Sequence, residues 1–279
     1  MVVAHLILVH SKPGQLMRLV KKLVHSKAFF FIHVDAKTDI LPFRKALEDV
    51  NGVYFVDKRV DIQWATYSMV EATVNGFEAI VASGLAIDYV NLLSGQDYPI
   101  QPVSKFHDFL KMNPGKAFMQ CLDIETEWTE AISRVRSYHL THWSIPGKYK
   151  FQKALNLIMP RRKLPENLIP VGRSQWFTIT LKHVVFIIRR LETNPAFSRF
   201  FSYSWAPDEI IFQTLLYNST FRSDIVNDNL RYIDWSEGLK NPKMLTKDDL
   251  PSMMQSGCFF ARKFAENDEV LSLIDAKID

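Results

Sequence analysis

Two adjacent carboxylates, Asp208 and Glu209, stand where a turn runs into an apolar helical pattern. Pro207 suits the first helical position because its missing N–H would have no partner there, and the helix dipole favours acids in that turn. The apolar residues from Ile210 to Tyr217 recur at helical spacing, which predicts a helix buried along one face. Glu209 would then be a rigid carboxylate at the mouth of a cleft, although proline followed by two acids is also an ordinary helix start.

A second candidate site is the polar cluster that directly follows a buried apolar run and contains His33, Asp35 and Asp39. Open α/β sheets place their ligand crevice at such strand ends, where a carboxylate often meets a ribose or a metal ion. A histidine and two acids could also hold a divalent ion, as in a metal-dependent hydrolase. A capped loop before the next helix is the remaining interpretation.

The interval from 134 to 163 is basic and contains no acid. Its charged residues are Arg134, Arg136, Lys148, Lys150, Lys153, Arg161, Arg162 and Lys163, and they alternate with aromatic and aliphatic residues. This pattern indicates an anionic partner. Residues Lys148 to Met159 resemble a short basic amphipathic helix, which predicts peripheral contact with an anionic membrane. The alternative is a solvated helix beside a binding cleft.

The elements that position these residues alternate between strand and helix in the first half of the chain. We predict strands at 2–9, 28–34, 53–56, 88–93 and 117–121, with helices at 15–24, from 41, at 68–82 and at 106–110. This order is typical of a parallel, doubly wound sheet. The second half is less regular, with predicted strands at 174–179, 230–235 and 258–264 and helices at 181–191 and 267–274.

Composition limits the classes of function. The chain has 279 residues, of which 47% are hydrophobic and 23% charged, as expected for a globular protein. Its longest apolar runs are too short to cross a bilayer, and the first ten residues lack the features of a signal peptide. The two cysteines, Cys121 and Cys258, suggest neither a disulfide framework nor a zinc cluster. We therefore expect a cytoplasmic protein, peripheral at the inner face of the cell membrane if the basic segment docks, with no nucleic-acid partner.

Seven short stretches occur together in one order and carry a family resemblance. They are His33-Val34-Asp35, Trp64-Ala65-Thr66-Tyr67-Ser68, Leu93-Ser94-Gly95-Gln96-Asp97-Tyr98-Pro99, Ser174-Gln175-Trp176, Pro207-Asp208-Glu209, Leu230-Arg231-Tyr232-Ile233-Asp234-Trp235 and Phe260-Ala261-Arg262-Lys263-Phe264. Over nearly its whole length the chain resembles the core 2 and I-branching β-1,6-N-acetylglucosaminyltransferases with the peptide O-xylosyltransferases.

The resemblance implies an α/β, GT-A-like nucleotide-sugar-binding fold, a Rossmann-like mixed sheet flanked by helices. It implies one domain over 1–279, with a nucleotide-binding half at about 1–122 and an acceptor and catalytic half at about 123–279. Ala65, Arg173 and Asn241 depart from the expected pattern and affect loops more than chemistry. The animal enzymes' membrane anchor and many cysteines are absent, which points to a bacterial-type relative.

For the donor, the resemblance implies a UDP-sugar and transfer with inversion. Glu209 matches the family's catalytic base, and Arg231 and Lys263 match its diphosphate-binding pair. Asp35 and the backbone around Val34 would hold the uridine or ribose. Gly95 would allow the chain to approach the donor closely.

For the acceptor, Arg134 and Arg136 fall where the family's acceptor-contacting basic residues are expected. Trp176 and Trp235 are candidates to stack on sugar faces, although large aromatic residues more often belong to the core. His139 and His142 have a spacing that could bind metal on a helix, but no carboxylate near them in the sequence completes a set.

We expect no divalent metal and no other cofactor. Metal-dependent relatives hold their ion with an Asp-x-Asp turn, whereas the corresponding stretch here, Ser94 to Asp97, contains one acid. The predicted function is transfer of an N-acetylglucosamine-like or xylose-like sugar to a saccharide or lipid-linked saccharide, in bacterial surface polysaccharide synthesis. The alternatives are a non-catalytic sugar-nucleotide or glycan-binding protein of the same fold, or the metal-dependent hydrolase.

Overall fold

The computed structural model describes residues 1–266 and 268–278. Strands and helices alternate in the first half, as the hydrophobic periodicity predicts. The strands there are β1 (Val3–Val9), β2 (Ala28–Val34), β3 (Val53–Phe55), β4 (Tyr89–Ser94), β5 (Asp97–Pro99) and β6 (Ala117–Phe118). The helices there are α1 (Pro13–Leu23), α2 (Leu41–Ala46), α3 (Ser68–Ala82) and α4 (Val103–Met112).

The second half contains shorter strands. They are β7 (Cys121–Asp123), β8 (Val171–Arg173), β9 (Thr178–Thr180), β10 (Ile225–Val226), β11 (Arg231–Ile233) and β12 (Phe260–Arg262). The helices are α5 (Ile132–Arg136), α6 (Lys148–Ile158), α7 (Leu181–Thr193), α8 (Pro195–Ser202), α9 (Ile211–Tyr217), α10 (Leu250–Gln255) and α11 (Glu269–Ile278).

A seven-stranded mixed sheet forms the centre of the molecule, in the order β10-β6-β9-β4-β1-β2-β3. β1 runs parallel to β2 and β4, and β9 inserts antiparallel between β4 and β6. Strands from both sides of residue 122 therefore share one sheet. The division into two halves near that residue stays a prediction.

Helices cover both faces of this sheet. The central strand β1 has apolar side chains on each face, and both sets must be buried. Its alternate residues enter two separate cores: Leu6 packs with α3, whereas Ile7 packs with α1. Every residue of β1 is buried. Parallel strands that are buried on both faces have nearly continuous apolar sequences, and the sequence of β1 shows this pattern. The mixed α/β architecture with flanking helices is thus confirmed.

Two small sheets lie beside the main one. β11 pairs parallel with β12, which pairs antiparallel with β5, and β7 pairs with β8. The predicted strands at 230–235 and 258–264 are confirmed only at their centres, and the one predicted at 174–179 only from residue 178, at its carboxyl end. Ser174, Gln175, Trp176, Trp235 and Lys263, outside the observed strands, line the cleft described below.

The predicted helix from Pro207 is interrupted. Pro207–Glu209 form a single 3-10 turn, and α9 starts only at Ile211 because Ile210 has non-helical angles, with φ of −129° and ψ of −45°. The last helix was predicted from residue 267, which lies outside the described residues; α11 covers Glu269–Ile278. Within 1–266 and 268–278, no helix has the length and apolarity needed to span a bilayer.

Candidate active site

A cleft of about 670 Å³ opens where the parallel strands β1, β2 and β4 end. Val9, Asp35 and Ser94 contribute to its wall from these strand ends. Open α/β sheets bind their ligands at this edge, because the loops that leave neighbouring strands there form a crevice. The opposite wall comes from the second half and includes the Pro207–Glu209 turn.

Tryptophans are concentrated in this cleft. The chain has six, and five line it: Trp64, Trp128, Trp176, Trp205 and Trp235. Trp176 is buried and Trp235 is 48% exposed, so the first lies in the wall and the second at the rim. Trp64 is also exposed and meets Trp205 edge to face. Flat apolar faces with a polar edge suit the C–H faces and hydroxyls of sugars.

Glu209 lies in the cleft wall, held by the backbone of its turn. Ala206 adopts a left-handed conformation with φ of 47°, and its carbonyl accepts a hydrogen bond from the Glu209 amide at 3.3 Å. β8 packs directly behind the turn at Gly172, where a Cβ atom would overlap the Glu209 carbonyl oxygen. The position of this carboxylate is thus fixed by contact with a neighbouring strand.

Arg134 forms an ion pair with the Glu209 carboxylate through Oε2. Its guanidinium lies between two indoles, 4.6 Å from the Trp128 ring centre and 4.4 Å from that of Trp205. Among the described residues no donor bonds the second oxygen, Oε1 of Glu209. The pair therefore orients one oxygen by a clamped cation and leaves the other for a ligand.

Asp208, the other acid of the turn, is 3% exposed. Burial, and then the charge of Glu209, raise its pKa to about 8. Its Oδ1 has no hydrogen-bond partner among the described residues. The two neighbouring carboxyls therefore differ: one is buried and protonated at neutral pH, and the other is open to the cleft.

Arg231 lines the cleft but directs its guanidinium into the protein. The side chain donates to the Leu92 carbonyl at 3.0 Å, to the Phe177 carbonyl at 3.1 Å and to the side chain of Asn91. Burial lowers its pKa to about 10. The guanidinium thus ties β11 to β4 and β9, and its role toward a diphosphate stays a prediction.

Arg262 and Lys263 follow one another at the end of β12, and both line the cleft. The Arg262 guanidinium stacks 4.1 Å from the Trp176 ring centre, and its Nε lies 3.4 Å from Asp97 Oδ1. Nη1 of Arg262 is buried without a hydrogen-bond partner among the described residues. Burial, and then the Arg262 charge, lower the pKa of Lys263. Lys240 also reaches the cleft, so positive charge is gathered here.

The remaining predicted donor residues lie at the strand ends. Asp35 is buried in the wall, where Oδ1 accepts from the Lys37 amide at 2.9 Å. Val34 is buried, and its carbonyl accepts from Arg59 Nε at 2.9 Å. At Gly95 a Cβ atom would lie 2.8 Å from Val9 Cγ1, so the strand end has no room for a side chain.

Arg136 is not brought to the cleft. Its guanidinium pairs with Glu125 and donates to the Arg162 carbonyl at 3.3 Å. Arg134, two residues earlier on α5, points to Glu209 instead. The roles of Arg134, Arg136, Trp176 and Trp235 as acceptor contacts stay predictions.

No cluster of three or more His, Cys, Asp or Glu side chains within 1–266 and 268–278 is arranged to hold a metal ion. Nε2 of His33 accepts from the Val60 amide at 3.1 Å, and Asp39 accepts from the Leu41 amide at 3.0 Å. These contacts fit the capped-loop interpretation of that cluster. Asp97 accepts from the Ser94 amide at 3.0 Å and faces Arg262, so it stabilises its own turn.

Sequence reasoning missed several of these residues. Asp208 and Arg262 were noted in the sequence without a role of their own, because their burial at the cleft depends on contacts far along the chain. Trp128 and Trp205 gave no signal beyond their residue type. Gly172 could have been noticed as a glycine beside the Ser174-Gln175-Trp176 stretch.

The model of the family described as Core-2/I-Branching enzyme matches residues 3–257. The chain belongs to this family, which confirms the resemblance found in the sequence.

Similar proteins include human xylosyltransferase 2, 27% identical over 98% of this chain, and xylosyltransferase oxt of Drosophila melanogaster, 27% identical over 90%. The chain spans about one third of the length of these relatives, 33% and 30% respectively. Among solved structures, mouse xyloside xylosyltransferase 1 in its apo form aligns with 93% of this chain and 97% of its own, with a TM-score of 0.41 and 10% identity.

Proposed function

We propose that the chain is an inverting glycosyltransferase with a GT-A-like fold that moves a sugar from a UDP-sugar to a hydroxyl of a saccharide or lipid-linked saccharide. The sugar is N-acetylglucosamine-like or xylose-like, and the setting is bacterial surface polysaccharide synthesis. The observation that carries the proposal is the Glu209 carboxylate, oriented by Arg134 inside a tryptophan-lined cleft. Family membership and xylosyltransferase relatives support the class of reaction.

The chemical step follows from the open oxygen of Glu209. Oε1 takes the proton of the acceptor hydroxyl while that oxygen forms a bond to the anomeric carbon. The bond from this carbon to the diphosphate oxygen breaks, and its electron pair leaves with the UDP. Because attack and departure occur on opposite faces, the configuration inverts. A base placed within reach of the proton typically contributes about 100-fold to 10,000-fold in rate.

The leaving diphosphate gains negative charge, and cations fixed in advance stabilise that change. Lys263 provides a mobile point charge, and Arg262 a guanidinium with one buried Nη1 that has no partner among the described residues. Stacking on Trp176 holds the guanidinium plane, so little reorganisation accompanies the reaction. In this proposal, these charges take the place of a metal ion in neutralising the diphosphate.

The direct test is Glu209→Gln, with Glu192→Gln on the exposed face of α7 as its matched control. The amide is nearly isosteric but cannot take up the proton. We expect UDP affinity by calorimetry to be retained and UDP release from UDP-xylose or UDP-N-acetylglucosamine to fall about 100-fold or more. Near-normal kcat in Glu209→Gln would exclude it as the base. A wild-type protein that binds UDP-sugars without turnover for any acceptor would be the non-catalytic binding protein.

A further inference from the structure

α6 has an unusual surface: none of its residues is buried. Three of its large apolar side chains are strongly exposed, with Tyr149 67% exposed, Leu157 79% and Ile158 83%. Ile145 and Met159, at the two ends of the helix, are exposed as well. Surface helices ordinarily turn such residues toward the core.

Three polar residues of α6, Lys148, Gln152 and Asn156, face inward instead. Gln152 accepts from the Leu140 amide at 2.8 Å, and Asn156 accepts from the Tyr138 amide at 2.7 Å. Lys148 donates to the carbonyls of Thr141 at 3.0 Å and Trp143 at 2.9 Å. These hydrogen bonds attach the helix, and the exposed side chains of Tyr149, Leu157 and Ile158 are left for another surface.

The charge around this helix has one sign. No acid occurs between Glu130 and Glu166. Lys150, Lys153 and Arg161 are exposed beside the apolar residues, and no ion pair among the described residues engages them. A surface that is both apolar and basic matches an anionic lipid leaflet, which offers hydrocarbon beneath negative headgroups.

We propose that α6, with its flanking residues 145–147 and 159–161, docks on an anionic membrane. A second copy of the chain is the less favoured occupant, because a twofold contact would bring the same basic residues against one another. On a leaflet each Lys or Arg near the surface gains attraction instead, and the aliphatic side chains leave water.

The docked surface adjoins the cleft. Arg134, beside Glu209, precedes this segment by eleven residues of the chain. At its far end Arg162 donates to the Tyr203 carbonyl at 2.8 Å, two residues before Trp205 of the cleft wall. This inference rests on the proposed function: docking would bring the cleft to the headgroup of a lipid-linked saccharide.

Co-sedimentation with vesicles tests the proposal independently of activity. Vesicles of phosphatidylcholine with an equal part of phosphatidylglycerol are compared with phosphatidylcholine alone, at low and at high salt. We expect binding only to the anionic vesicles and weaker binding at high salt, because salt screens the attraction. Lys150→Gln/Lys153→Gln should lose about fivefold in partition per lysine, and Leu157→Gln/Ile158→Gln about tenfold or more.

The matched control is Leu41→Gln/Met112→Gln, which removes two apolar side chains that are 67% and 74% exposed on other helices. It should bind vesicles like the wild type. Absence of binding to anionic vesicles at low salt overturns the proposal. The proposal is also overturned if light scattering shows that the wild type is a dimer, and that Leu157→Gln/Ile158→Gln makes it a monomer without changing vesicle binding. Turnover of a short soluble acceptor tests the proposed function separately and should be equal in all variants.

Discussion

Replacement of Gly172 by alanine is expected to move Glu209 without altering its chemistry. A Cβ atom there would overlap the Glu209 carbonyl oxygen and lie 2.9 Å from the Cα of Ile210. Both are backbone atoms, so no side chain can rotate away, and the turn must shift by roughly 1 Å to restore van der Waals separation. A displacement of that size at a catalytic group costs about 100-fold in rate. Overpacking of this kind also costs about 1–3 kcal/mol of stability.

The assay is kcat from UDP release, measured together with Tm. Gly76→Ala is the steric control, because its Cβ atom would lie 2.5 Å from Cδ2 of Leu6 in the core under α3, away from the cleft. Both variants should lose stability, and only Gly172→Ala should lose about 100-fold in kcat. If Gly172→Ala keeps wild-type kcat, or if both variants lose rate in step with Tm, the packing of β8 does not position the base.

Three further predictions concern charged groups in the cleft. The pKa of Asp208 is raised from its ordinary value of 3.8 to about 8, so the folded protein keeps this proton where the unfolded chain loses it, and stability falls as pH rises through that window. Asp208→Asn should therefore raise Tm at pH 8 and not at pH 4. Superimposable Tm profiles of the variant and the wild type would contradict this. Arg231→Met leaves the buried carbonyls of Leu92 and Phe177 without this donor and should lower Tm by roughly 10 °C. An unchanged Tm together with weaker UDP binding would show instead that Arg231 binds the diphosphate. Activity should survive exhaustive EDTA treatment and fall in Lys263→Ala; abolition by EDTA with rescue by manganese would show that a metal is required.

The main elements of the fold could be predicted from the sequence. Each depends on backbone hydrogen bonding that repeats every two or 3.6 residues, so the apolar pattern of β1, β2 and α3 specifies them locally. The order of strand and helix then limits the first half to a largely parallel sheet, whose strand ends must meet at one edge. Asp35 was predicted as a site residue by this reasoning and Gly95 through the family resemblance, and both line the cleft.

Short elements carry no such periodicity. α5 has five residues, and its phase decides that Arg134 faces Glu209 while Arg136 faces Glu125. β11 has three residues, too few to show that the Arg231 guanidinium enters the core. Only packing against other segments sets these directions.

The amino-acid sequence by itself indicated the family and the α/β class, and it predicted a site at the turn of Glu209. The tertiary structure decided that Arg134 contacts the Glu209 carboxylate, whereas Arg231 bonds buried backbone carbonyls. Arg134 and Glu209 are 75 residues apart, and they meet because burial of distant apolar segments brings α5 against the turn before α9. A local pattern specifies an element, whereas the free energy of burying many elements together specifies their partners.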